Sequence, residues 1–395
     1  MYKNTPAMGW NSWNTFGGGI SEDVTLTMAE KMVSEGLKDA GYEYVVIDDC
    51  WSLRERDQNG NLVADPEKFP HGMKYVANEI HKMGLKFGMY SCAGTMTCAG
   101  YPASYEHEYA DARTFAAWGV DYLKYDYCYR SNLVPGDVLY KRMGLALANS
   151  GRDILFSNCS WGADGTHIWI NETGAHSFRS TGDIFDSWKS VKDIAQSQLK
   201  MQEYSGVGCF NDMDMLIVGM NGAGNVAAGG CTEEEYFTHF ALWCLCSSPL
   251  MIGCDFTKMN GAAKAILTNA DLIRINQDKK GAHPFFIGGE KTLLRRNPQR
   301  SEKNPYYYEN YPLDAPVLAR FLDDGRVAVA FINFMDDKCW RYFNLETLGL
   351  PYSAGKTLRM KNVRTGEICA PKNEVFTQSI PAHGTVVYLC EVVDR

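Results

Sequence analysis

From Met8 to about Cys254, short apolar runs that end in polar or acidic residues alternate with stretches of helical periodicity. Such alternation reads as β/α units around a parallel sheet, because each crossover helix covers the strands it joins. The strand candidates are Met8–Trp13, Tyr44–Asp49, Lys86–Ser91, Asp121–Asp126, Asp153–Cys159, Ser177–Asp183, Phe210–Leu216 and Ser247–Gly253. Eight parallel strands can close on themselves, so the expected fold class is α/β, a (β/α)8 TIM barrel. Between them, Ser21 is placed to cap a helix with Glu22 and Asp23 in its first turn, a core face of Val24, Met28, Met32 and Val33, and Gly41 as its stop. Thr232 and Glu235 form a capping box ahead of the apolar run 240–245.

Beyond Ile275-Asn276-Gln277-Asp278 the helical period gives way to alternation with period two. Val317–Leu322 and Arg326–Ile332 flank Asp323-Asp324-Gly325 as a hairpin, and Thr385–Leu389 reads as a final strand. The expected domains are therefore a catalytic barrel, 1–283, and a C-terminal antiparallel β-sandwich domain, 284–395, which includes a linker at 284–316. That linker mixes Arg295, Arg296 and Arg300 with Tyr306, Tyr307, Tyr308 and Tyr311. It reads as a solvated connection, or as a contact to a second subunit or to the outer part of a substrate.

Composition narrows the function. A net charge of -8 with no dense Lys/Arg block weighs against nucleic acid, and no apolar run is long enough to span a membrane. The start MYKNTPAMGWNSW lacks the basic and apolar regions of a secretory signal, so the expected location is cytoplasmic, or outside the cell if a leader has been removed. Most of the 13 cysteines sit in apolar runs such as LWCLCSS and are expected to be reduced core residues.

The acids are placed informatively. Asp48 and Asp49 close the second strand candidate, Asp126 the fourth and Asp183 the sixth, while Asp212 and Asp214 lie in the seventh. In a parallel barrel these ends meet at one mouth. Any one of them is as readily a helix cap, but carboxylates converging from four strands repel one another unless a ligand or metal offsets them. No HExxH, paired CxxC, EF-hand loop, P-loop or G-x-S-x-G elbow is present, and no metal or other cofactor is expected. A metal-free cluster of acids suits acetal hydrolysis, in which one carboxylate attacks and another protonates the leaving oxygen. Trp10, Trp13, Trp51, Tyr90 and Trp161 fall at or just after strand ends, where a ring can pack against a sugar.

The segments MGWNSW (8–13), IDDCW (47–51), ADPEKFPHGM (64–73), GLKFGMYS (84–91), TCAGYPAS (97–104), WGVDYLKYDYC (118–128), GDIFDSWKS (182–190), NDMDML (211–216) and INQD (275–278) resemble, in order and spacing, those of glycoside hydrolase family 27. That family contains α-galactosidases and α-N-acetylgalactosaminidases. The resemblance implies a retaining double displacement with Asp126 as nucleophile and Asp183 as acid/base. It also implies that Asp48 and Asp49 hold O4 and O6, Lys124 reaches O3 and O4, Arg179 binds near O2, Trp10 stacks on the sugar, Tyr90 lines the pocket and Asp214 lies beside the reacting carboxylates. Lys124 should keep Asp126 ionised, while burial or the charge of Asp126 should raise the pKa of Asp183. Retention implies carboxyl groups roughly 5–5.5 Å apart.

Ser160 and Ala163 match the small pair of the N-acetylgalactosamine-preferring relative, where a galactose-preferring animal enzyme has Glu and Leu; Trp161 lies between them. Gly162 and Asp164 depart from that relative. Cys98 and Cys128 match a family disulfide at the pocket rim, which a cytosolic protein would keep reduced. The expected function is hydrolysis of terminal non-reducing α-D-galactosides. The alternatives are an α-N-acetylgalactosaminidase, a β-L-arabinopyranosidase and a non-catalytic galactose-binding barrel. The expected partner is a small oligosaccharide or glycoconjugate ending in α-galactose or α-N-acetylgalactosamine, and a homo-oligomer is compatible with the sequence.

Overall fold

A computed structural model describes residues 4–289, 295–296, 306–307 and 314–395. The chain divides into two compact units, Met1–Gly281 and Ala282–Arg395. Arg300, Tyr308 and Tyr311 of the linker lie outside the described residues.

The first unit is built on eight parallel strands: β1 (Met8–Asn11), β2 (Tyr44–Val46), β3 (Lys86–Cys92), β4 (Tyr122–Asp126), β5 (Leu155–Cys159), β6 (Ser177–Arg179), β7 (Phe210–Asp212) and β8 (Leu250–Ile252). Their order is β8-β1-β2-β3-β4-β5-β6-β7, each paired with its neighbour in parallel. The ring closes one step beyond β7, where Leu216 bridges Ile252. Leu216 N donates to Met251 O at 2.7 Å and Gly253 N donates to Leu216 O at 2.9 Å. The expected seventh strand, Phe210–Leu216, is thus interrupted. Asp214 at its middle has a left-handed φ of 80°, a conformation incompatible with continuous pairing.

Helices cover the barrel as their sequences dictate. Ser21 accepts from Val24 N and caps the helix Glu22–Ser34. Its buried stripe is Thr25, Met28, Ala29 and Met32, an i, i+3, i+4, i+7 set, whereas Val33 is 39% exposed. The expected face was therefore turned by one position, and the helix stops at Ser34, well short of Gly41. The Thr232–Glu235 capping box starts the helix Glu233–Leu245, whose residues from Glu235 onward are all buried.

At the entry to β4, Asp121 is saturated with partners. Arg152 Nη2 lies 2.5 Å from Oδ1, while His81 Nε2 at 2.7 Å and the Phe87 amide at 2.9 Å share Oδ2. At this end of the barrel the carboxylate is thus committed to ion pairs and a backbone amide.

The second unit is an antiparallel β-sandwich. Val317–Phe321, Val327–Ile332, Thr385–Asp394 and Lys356–Asn362 pair in sequence within one sheet, and Cys339–Asn344 pairs with Val375–Ile380 in a second. Val317, Val329, Phe331, Phe343, Leu358 and Ile380 form its core. The expected hairpin is present, with Gly325 at φ 83° in its turn.

His239, buried in the 233–245 helix, accepts the Ile217 amide at Nε2 (3.1 Å), just beyond the site where β7 rejoins the sheet. Burial lowers its pKa from 6.5 to about 3. A depressed histidine pKa means that the unfolded chain binds the proton first, so its contribution to stability is complete above pH 6.5 and is lost as pH falls toward 3. Denaturant unfolding at a series of pH values should show stability declining over this window. His239→Gln, whose amide oxygen can accept the same N–H, should flatten that decline.

Candidate active site

The functional side chains leave the sheet at one end, where each strand turns toward its helix. β2 runs on into Asp48 and Asp49, β4 ends on Asp126, β6 ends on Arg179 four residues before Asp183, and the break after β7 carries Asp214. With Trp13, Asn14, Tyr90, Cys98, Lys124, Trp161, Met215 and Val226, these residues line one cleft.

Two cations organise the acids. Lys124 and Asp126 are two residues apart on β4 and project to one side. Lys124 Nζ donates to Asp48 Oδ2 at 2.8 Å, and the same oxygen accepts from Asn11 Nδ2 at 2.7 Å. Asp49 accepts two main-chain amides, Cys50 N at 2.7 Å and Ala99 N at 2.9 Å. Asp126 accepts from Tyr127 N at 2.9 Å and from the Tyr90 hydroxyl at 3.2 Å.

Arg179 is the second cation and is buried. Its Nη2 lies 2.5 Å from Asp183 Oδ1 and 3.1 Å from Asp214 Oδ2. Asp214 Oδ2 also accepts the Ile184 amide at 2.7 Å. One carboxylate therefore fixes both the guanidinium and the backbone that presents Asp183.

These surroundings invert the expected order of protonation. Burial pushes Asp126 up to about 6 against the opposing charges of Lys124 and Arg179, because desolvation of a 5% exposed carboxyl outweighs both. For Asp183, burial acts upward, but the charge and hydrogen bond of Arg179 overcome it and hold the carboxyl below its ordinary range. The Asp183 side chain is 59% exposed, which weakens the desolvation that was expected to raise it. Below the cleft, Asp212 is pushed up to about 6 by burial and by Asp214.

Five anticipated residues do not line the cleft. Trp10 is fully buried, its indole N–H donates to Cys254 O at 3.0 Å, and its ring packs edge-on to Phe16, so neither face is free for a sugar. Trp13 takes the place expected of it. Trp51 likewise points into the protein, with its indole N–H on Tyr90 O and its ring edge-on to Trp118. The Ser160 hydroxyl is fully buried between Asn158 Oδ1 (3.0 Å) and Thr166 Oγ1 (2.5 Å), and Ala163 sits in the turn that follows. Trp161, between them, forms the cleft wall instead. Cys128 is disulfide-bonded to Cys98, which alone of the pair lines the cleft. Their sulfurs and an Asp126 oxygen lie within 4.8 Å of one another, but sulfurs joined to each other are not thiolate ligands.

Asn14, Met215 and Val226 were not anticipated. Asn14 and Met215 immediately follow sequence motifs or lie within them, so position could have signalled them. Val226 arrives on a long excursion tied down by Asp186 N donating to Val226 O at 2.9 Å, and nothing local announces it.

The alpha galactosidase A family model matches residues 5–278, and the alpha galactosidase C-terminal beta sandwich domain matches 314–390. The chain belongs to glycoside hydrolase family 27. It is 39% identical over 402 residues to alpha-galactosidase A of Cellvibrio japonicus, covering 97% of this chain and 91% of that protein. The solved alpha-galactosidase I of Mortierella vinacea superposes with a TM-score of 0.86 at 32% identity, over 99% of this chain and 97% of that one. An alpha-galactosidase of Saccharomyces cerevisiae, solved with raffinose, superposes with a TM-score of 0.83 at 29% identity, over 99% and 98%. Within this family-27 chain the barrel match spans all eight strands and the whole cleft.

Of the 13 cysteines, the 11 outside the Cys98–Cys128 bridge form no disulfide. A thiol titration of the protein unfolded without reductant should count 11 groups, rising to 13 after reduction. A count of 13 without reductant would show the bridge to be open.

Proposed function

We propose that this protein hydrolyses terminal non-reducing α-D-galactosides with retention of configuration, with Asp126 as nucleophile and Asp183 as acid/base. The observation that carries this reading is the pairing of two differently held carboxyls on one cleft: Asp126, buried beside Lys124, and Asp183, exposed and presented by Arg179 and Asp214. In the first step Asp126 attacks the anomeric carbon while Asp183 gives its proton to the departing glycosidic oxygen. In the second, Asp183 takes a proton from water as that water displaces Asp126 from the anomeric carbon.

Asp183 must be protonated for the first step, and Arg179 opposes this. A sugar hydroxyl near O2 that engages Arg179 draws the guanidinium away from Asp183 and allows the carboxyl to take up a proton. Substrate binding thus prepares the acid. Lys124 and the nearby charge of Arg179 favour ionised Asp126 against its burial. Asp48, with Lys124, is arranged to hold O3 and O4, and Asp49 is arranged for O6; Trp13 replaces Trp10 as the ring available to the sugar.

Galactose is favoured over N-acetylgalactosamine because Ser160 and Ala163 do not open into the cleft, whose wall is formed there by Trp161. Names of relatives support the same choice: the Cellvibrio, Mortierella and Saccharomyces proteins are all alpha-galactosidases, and raffinose is a small oligosaccharide of the expected kind.

Nitrophenyl α-galactoside should be cleaved with a higher kcat/KM than the α-N-acetylgalactosaminide or the β-L-arabinopyranoside, and proton NMR should show the α anomer of galactose as first product. Failure on all three with retained galactose binding would make the protein a sugar-binding barrel. Asp126→Ala should lose more than about 10³-fold in kcat, as removal of a nucleophile does, and azide should restore part of it as the β-galactosyl azide. Lys124→Met removes a charge that favours ionised Asp126, so the acid limb of the kcat/KM profile should move to higher pH. An unmoved limb would assign that limb to another group.

A further inference from the structure

Trp161 is carried by a loop whose backbone is unusual. From Trp161 to Gly165, four of the five residues have left-handed φ: 58° at Trp161, 80° at Gly162, 56° at Asp164 and 66° at Gly165. Trp161 and Asp164 carry side chains, which make this conformation uncommon. Such a loop persists only where its neighbours over-determine it. On its inner side the Ser160 hydroxyl is locked between Asn158 and Thr166.

On its outer side the Tyr127 hydroxyl donates to Asp164 Oδ2 at 2.6 Å. Tyr127 directly follows Asp126, is 2% exposed, and stands edge-on to Trp161 with ring centroids 6.4 Å apart. The closeness of this packing is visible at Gly136, where a Cβ would meet the Tyr127 hydroxyl at 2.5 Å and Asp164 Oδ2 at 3.2 Å. Trp169 Nε1 donates to Asp164 O at 2.9 Å and fixes the residue's main chain. Arg130 lies 3.6 Å from Asp164 Oδ1, but both side chains of that pair are partly exposed, and such pairs contribute little. The phenol–carboxylate bond is charge-assisted and joins a buried ring to the loop, so it is the stronger restraint.

We propose that the Tyr127–Asp164 hydrogen bond is a clip that holds the Trp161 ring on the wall of the sugar cleft, and thereby sets both affinity and selectivity for the galacto-configured ring. Neither Tyr127 nor Asp164 lines the cleft; they are positioning residues that act through Trp161. The inference rests on the galactosidase reading above for its substrate, and on the loop geometry for its mechanism.

Tyr127→Phe removes one oxygen and leaves the packed ring in place. It should raise KM for nitrophenyl α-galactoside about tenfold, the scale of a hydrogen bond to a charged group, while kcat stays within about threefold because no reacting group has changed. Asp164→Ala should do the same, and the double variant should be no worse than either single one, as for residues acting through a single contact. Asp164→Asn keeps an acceptor oxygen and should recover most of the affinity. The ratio of kcat/KM for the α-galactoside to that for the α-N-acetylgalactosaminide should fall in the two weakened variants. Unchanged KM in Tyr127→Phe, additive losses in the double variant, or a fall in kcat alone would overturn the clip. If Asp164→Ala does not fold, Tyr127→Phe decides the matter by itself. A wild-type protein inactive on nitrophenyl sugars would remove the catalytic reading, and the clip would then be read from galactose titrations followed by tryptophan fluorescence. There the same weakening in Tyr127→Phe is expected, and equal affinity, or no binding by the wild type, refutes it.

Discussion

β7 stops at Asp212, and the barrel closes through Leu216 instead. The three residues between them leave the sheet, with Asp214 in the left-handed region and its main chain tied down. Met213 N donates to Ser248 Oγ, Asp214 N donates to Asp212 Oδ1, and Trp243 Nε1 donates to Asp214 O. A continuous strand would have kept that carboxylate in the regular alternation of the sheet. The interruption delivers it to the cleft, where it meets Arg179 and the amide beside Asp183. Closure of the ring and placement of the acid are therefore one event in the backbone.

The cleft gathers five carboxyls around two cations, Lys124 and Arg179. Burial pushes Asp126, and Asp212 below the cleft, up to about 6, and a neighbouring carboxyl adds to the shift in each case. Lys124 is engaged with Asp48, so its hold on Asp126 acts through space rather than through a direct bond. Arg179, shared between Asp183 and Asp214, holds the Asp183 carboxyl below its ordinary range.

Much of this was legible in the sequence because a parallel barrel converts linear position into location. An acid at the end of an apolar run must lie at the mouth, and Asp48, Asp49, Asp126, Asp183 and Asp214 all do. The direction of a side chain just past a strand end is not fixed in this way. Trp10 and Trp13 share one motif, but β1 ends at Asn11, so Trp10 stays in the strand with its indole on Cys254, distant in sequence, while Trp13 lies past the end and reaches the cleft. Ser160 was read by size, whereas its hydroxyl is committed to Thr166, a partner that matters only once the loop is folded. Protonation is hidden for the same reason: Lys124 stands two residues from Asp126 in the sequence, but burial is a property of the whole barrel.

β4 begins beside one aspartate and ends on another. Asp121 spends its oxygens on a guanidinium, an imidazole and an amide. Asp126, with one amide on Oδ1 and a longer contact to a phenol on Oδ2, is coordinatively undersupplied. The same functional group at two ends of a single strand is thus held by three donors at one and by two at the other, and the less encumbered of the two is the one that lines the cleft.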